Sequence, residues 1–217
     1  MKNTKVLEML NNGKIEELKA LLQDEIFTEG LASKSGSKKR YAAMKKYFTY
    51  VKSHNKALTM PCVIDYDKEK YTSFVNGYSI ALTRETAGEM DHFTDSKSYF
   101  DLSKFIVLDG EKKTVDFTKV LAEAKSKGYK IKKSEVDGND FTYVMKYDGA
   151  FYKIGLLDAT FSIIDNGENV EVYHKEGNRV APIIIKNDIG YAVVLPMNFE
   201  EEDFENKGKI VIEVEGK

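Results

Sequence analysis

The stretch Val180–Phe199, VAPIIIKNDIGYAVVLPMNF, constrains the fold more than any other part of the chain. Short β-branched runs on both sides of an Asn-Asp-x-Gly turn predict a hairpin. Its first strand is a buried one over Ala181–Lys186, its turn is Asn187-Asp188-Ile189-Gly190, and its second strand covers Tyr191–Leu195. Pro196 ends the second strand, because proline has no backbone N–H to give to a ladder.

Similar short runs recur upstream. Leu58–Tyr66, Tyr71–Val75 and Tyr78–Thr83 predict strands separated by Asp67-Lys68-Glu69-Lys70 and by Asn76-Gly77, the latter a strong hairpin signal. Lys130–Lys133, Phe141–Lys146, Phe151–Ile154 and Val170–Tyr173 predict further strands, with turns at Asp137-Gly138-Asn139 and Asp148-Gly149. Helical spacing of apolar residues predicts helices over Asp116–Lys127 (Phe117, Val120, Leu121 and Ala124 inward) and Leu156–Ile164 (Leu157, Phe161 and Ile164 inward). Two pieces of an N-terminal helical extension cover residues 1–30, with Ile15, Leu18, Leu22 and Ile26 as the stripe of the second; this extension packs on the main domain or docks to another chain. FDLSKFIVLDGEKK, from Phe100, reads as a linker, and Lys209–Val214 as a last strand beyond the acidic run Glu200–Glu205.

A helix from Arg40 to about Ser53 carries the apolar stripe Tyr41, Met44, Phe48 and Val51. Lys39 and Lys46 lie opposite that stripe, and Lys38, Lys45 and Lys52 line its flank. From Leu31 to Lys56 there are eight basic residues and no acidic one, the sharpest charge asymmetry in the chain. Such a face is either simply solvated or a place where a phosphate backbone lies. Tyr41, Tyr47 and Tyr50, interleaved with the lysines, offer rings that could stack on single-stranded bases.

The overall net charge of −2 gives no global pull toward nucleic acid or membrane, so that signal is local. One cysteine, Cys62, cannot form an internal disulfide, and no run approaches the ~18 apolar residues of a membrane span. With no signal-peptide pattern, a cytoplasmic protein is expected.

Enzyme chemistry finds little support. His54, His92 and His174 stand far apart without metal-ligand spacing, so no metal or cofactor is expected. Cys62 sits in an apolar run, MPCVI, where a small buried thiol is the ordinary outcome. Gly36-Ser37-Lys38 lacks the upstream glycine of a phosphate-binding loop, and no catalytic residue can be named.

The order of elements resembles a domain of the DNA sliding clamp family, the processivity factor of bacterial replicative polymerases. The likeness covers about 41–84 and 141–198. It rests on the helix leading into KALTMPCVIDYDKEKYTSFVNGYSIALTRE, on FYKIGLLDATFSIIDNGENVEVYHKEG, and on GYAVVLPMN. The last is similar to the family's closing Met-Pro-Met-Arg, with Leu195 in place of the first Met and Asn198 in place of the Arg. The resemblance implies an α+β fold: a clamp-like domain of antiparallel sheets with two or three packed helices, over 31–198, with about 100–140 inserted, 1–30 as an N-terminal helical extension and 199–217 as an acidic tail.

The resemblance also implies a function and its residues. Lys38, Lys39, Lys45, Lys46 and Lys52 would meet DNA without regard to sequence, and Leu195, Pro196 and Met197 would wall a groove for peptides of replication proteins. A small phage or mobile-element protein of this kind could instead be a protein-interaction module that keeps the fold without the DNA role. Two departures matter. The chain holds one domain where bacterial clamps string three, so a closed ring would take about six copies. The helix over 156–164 carries Asp158 and Asp165 and no Lys or Arg, so an acidic inner wall would repel phosphates.

Overall fold

The computed structural model describes residues 3–19, 22, 38–54, 62–84, 102–127, 129–132, 141–175 and 177–197. The chain divides into two compact units, Met1–Lys45 and Lys46–Lys217, the division falling inside one long helix.

In the first unit, helix α1 (Asn3–Asn11) stops at Gly13, whose φ is +69°. Gly13 N–H reaches the Leu10 carbonyl and Lys14 N–H the Met9 carbonyl, which is the paired C-terminal closure that a left-handed glycine permits. Residues 15–19 then resume a helix. Its stripe differs from the expected one: Leu18 is buried, Ile15 and Leu22 are exposed, and Ile26 lies outside the described residues. Helix α2 (Lys38–His54) begins in this unit.

The second unit is built on a seven-stranded antiparallel sheet. Its strands are β1 (Cys62–Tyr66), β2 (Glu69–Asn76), β3 (Ser79–Thr83), β4 (Glu111–Val115), β8 (Val170–His174), β9 (Ile183–Lys186) and β10 (Gly190–Val194), ordered β1-β2-β3-β10-β9-β8-β4. A second sheet holds β5 (Tyr129–Lys132), β6 (Phe141–Tyr147) and β7 (Ala150–Lys153) in sequence order. Helices α3 (Phe117–Lys127) and α4 (Ile154–Phe161) complete an α+β protein of antiparallel sheets.

The β9–β10 hairpin lies at the centre of the large sheet, as its apolar sequence requires. β10 is buried at all five positions and sits between β3 and β9, pairing Tyr191 with Lys186 and with Leu82. One face of the sheet carries Ile64, Tyr71, Ile80, Leu82, Ile184, Tyr191 and Val193. Alternation puts Phe74, Ala81, Ile183, Ile185 and Ala192 on the other, where α4 packs on β3 and β10.

Two expectations need correction. The linker expected from Phe100 is part of the core: a single 3₁₀ turn (Leu102–Lys104) buries Leu102 and Ile106 in the first-named face, and the GEKK that follows opens edge strand β4, paired with β8. Its charged residues hid a strand because an edge strand needs only part of one face apolar. Tyr78 belongs to a turn, not to β3, and is exposed. Asn76 ends β2 instead: its Oδ1 accepts the N–H groups of Tyr78 and Ser79 at 2.8 and 2.9 Å. The expected turn at 137–139, the strand over 209–214 and the acidic run lie outside the described residues.

Candidate functional site

Helix α2 forms from good helix formers (two alanines, a methionine and lysines), and it buries Ala43, Met44, Tyr47, Phe48 and Val51 along one side. Lys39, Lys45 and Lys46 are exposed on the other. Lys38 and Lys52 are residues of the helix, their side chains outside the described part. The first turn holds Lys38, Lys39 and Arg40 and no acid, although the positive end of a helix favours acids there.

Two of the three tyrosines that could have stacked on bases, Tyr47 and Tyr50, are not surface rings. Tyr47 is fully buried, edge-on to Phe74 at 5.9 Å, and its hydroxyl oxygen accepts from Asn76 Nδ2 at 2.9 Å. Burial pushes that hydroxyl up to about 12. Tyr50 is partly buried, also pushed up to about 12 by burial, and its oxygen accepts the backbone N–H of Leu156 at the start of α4. Two rings counted from sequence as neighbours of lysines thus face inward, because the buried stripe is wider than the one drawn through Tyr41, Met44, Phe48 and Val51. The side chain of Tyr41 lies outside the described part.

The lysine row meets an unexpected carboxylate. Asp158 is the one charged residue in IGLLDATF, and its side chain is only 17 % exposed. Its Oδ1 lies 2.7 Å from Lys46 Nζ and its Oδ2 2.8 Å from Lys125 Nζ, so it joins α2, α3 and α4. Lys46, expected opposite the apolar stripe as a DNA contact, is therefore ion-paired while still half-exposed. The sequence held a signal for this: a lone carboxylate on an otherwise apolar helix needs a partner. Nothing in the spacing named Lys125. The repulsion expected from Asp158 is also altered, since two cations flank one anion.

Leu195, Pro196 and Met197 are half-buried. Leu195 N–H donates to the Tyr78 carbonyl at 2.9 Å, and Met197 N–H to the Phe151 carbonyl at 2.7 Å, an isolated antiparallel bridge onto β7. Exposed Tyr78 stands beside Leu195 through the first of these bonds.

Of the histidines, His54 is the last residue of α2 and His92 lies outside the described residues. His174 is buried on β8, with Nδ1 3.0 Å from Asp148 Oδ2, an edge-on ring contact to Tyr147, and Nε2 without a hydrogen-bond partner. Cys62 is half-buried, not fully buried as expected, because it opens an edge strand. Among the described residues no group of three or more His, Cys, Asp or Glu could hold a metal ion. Among the same residues no helix is long and apolar enough to cross a membrane.

No protein-family model matches the chain, and no curated protein matches it. Among solved structures, one similar chain is the crystal structure of a "Putative DNA polymerase III beta subunit" from Eubacterium rectale, at 14% identity and a TM-score of 0.32, over 62% of this chain and 43% of that one. The chain thus spans less than half of that neighbour's length, and similarity at this level assigns no family.

Proposed function

We propose that the chain is a non-enzymatic, clamp-like protein that binds the nucleic-acid backbone without regard to sequence, acting beside replication proteins. The observation that carries this reading is the exposed lysine side of α2, drawn from a stretch of eight basic residues with no acid between Leu31 and Lys56. Solvated helix faces ordinarily mix both signs. Basic residues at the positive end of a helix cost stability, about 0.3–1 kcal/mol each at low salt, and a phosphate ligand would offset that cost.

Fluorescence anisotropy with duplexes of several sequences tests it. Affinity should be independent of sequence and fall steeply with salt, since each neutralised phosphate releases counterions. Lys39→Glu combined with Lys45→Glu should weaken all duplexes equally. No binding by the unaltered protein at low salt would sink the proposal.

A second reading, a protein-interaction module, is favoured by one feature: exposed Tyr78 beside half-buried Leu195 and Pro196. It predicts capture of a replication protein that depends on Tyr78 and Met197 and not on the lysines. Light scattering also bears on the choice, because a closed ring of such domains needs about six copies.

A further inference from the structure

The carboxylate at the helix junction has a consequence for the lysines it holds. Asp158 uses both oxygens, one on Lys46 and one on Lys125, and both lysines remain half-exposed. An ammonium has three donors, so each lysine keeps two beyond the one given to Asp158. The three charges sum to one positive charge, and α3 contributes Lys125 beside the Asp158 that Lys46 also holds.

We infer that Asp158 is an internal competitor of phosphate: its carboxylate takes one donor of Lys46 and one of Lys125 and cancels part of their charge, so a nucleic-acid backbone engages both at full strength only by displacing it. The inference rests on the proposed backbone-binding function and adds to it a residue, Lys125, and a device that sets affinity. Its physical basis is that an anion within 3 Å of two cations cancels part of the field a phosphate would feel. Both lysines are half-exposed while the carboxylate is 17 % exposed, so a polyanion reaches the ammonium groups from solvent and competes with Asp158 for them.

The test is anisotropy with a labelled mixed-sequence duplex over a salt series, on the full chain. Asp158→Asn keeps the side chain's shape and an acceptor oxygen. It should tighten binding by about three- to tenfold at low salt and steepen the slope of log K against log salt by about one, the share of one further phosphate. Lys125→Gln, which leaves Asp158 paired with Lys46 alone, should weaken binding by a similar factor and flatten the slope. Circular dichroism establishes that each variant is folded, and Lys125→Gln carries the test if Asp158→Asn is not. Asp158→Asn binding no tighter than the unaltered protein, or Lys125→Gln binding equally well, overturns the inference while the backbone-binding reading stands, provided Lys39→Glu with Lys45→Glu still weakens binding. Failure of the unaltered protein to bind at low salt removes both.

Discussion

Asp67 and Lys68 form the two-residue turn between β1 and β2, with φ of +49° and +65°. Two left-handed residues suit the twist of a tight hairpin, yet a side chain there costs roughly 1–2 kcal/mol. Lys68→Gly should therefore raise stability by about 0.5–1 kcal/mol, seen as a higher urea midpoint at unchanged slope. The β6–β7 turn already uses this chemistry: Asp148 and Gly149 have φ of +44° and +79°. Gly190 is held to glycine for another reason, since a Cβ there would lie 1.8 Å from the Leu82 carbonyl oxygen of the neighbouring strand. Glu171 gives the acid side of the pH profile. Hydrogen bonds from Lys112 and then from Tyr173 hold its carboxyl below the ordinary value of 4.5. A depressed folded-state value contributes stability above pH 4.5 that is lost as pH falls through the folded value. Glu171→Gln should flatten the fall of melting temperature below that pH and leave the neutral range without this dependence.

The segment after Phe100 shows at the scale of elements what burial decides. Leu102 and Ile106 belong to the core of the large sheet. Leu102→Ala or Ile106→Ala should each cost about 2–5 kcal/mol by chemical denaturation, where a linker would show almost nothing. Helix α4 makes a finer case. Lys153 at its start gives no side-chain cap, and Tyr50 supplies its hydroxyl oxygen to Leu156 N–H instead. Tyr50→Phe should cost about 0.5–1.5 kcal/mol, the net worth of one such hydrogen bond. These two elements mark where the sequence was legible. α4 and β10 announce themselves because nearly every residue in IGLLDATF and GYAVV is apolar, and a turn residue stands near each. The turns at 148–149 and 187–190 were legible because turn chemistry is local, whereas the separator expected over 67–70 is only Asp67-Lys68, the charged Glu69 and Lys70 belonging to β2. β4 was not, because EKKTV shows its apolar demand only through its neighbour β8. The Lys46–Asp158–Lys125 bridge was half legible: the lone carboxylate is visible in the sequence, while its partners come from helices distant in the chain. Tyr47 was misjudged because its inward turn depends on Asn76 and Phe74, both from β2.

Over the whole molecule, tyrosine governs the response to alkali. Burial, first among the causes for each, pushes Tyr47, Tyr50, Tyr147, Tyr173 and Tyr191 up to about 12, and Tyr152 further up. In an unfolded chain these phenols ionise near 10. A raised folded-state value contributes stability that is complete below pH 10 and is lost as pH rises toward 12. The phenolate absorbance of these six rings, a part of the total from thirteen tyrosines, should therefore rise in one steep step coincident with the loss of circular dichroism; complete ionisation of all thirteen with the fold intact would contradict this burial. The exit of β10 has a mechanical side as well. Met197 is fastened to Phe151 of the small sheet by a single bridge, past the end of the central strand. A tug on the chain beyond Met197 would be felt first by β7, so the bridge acts as a fuse. Force spectroscopy would record an early, low-force rupture before the central hairpin begins to yield.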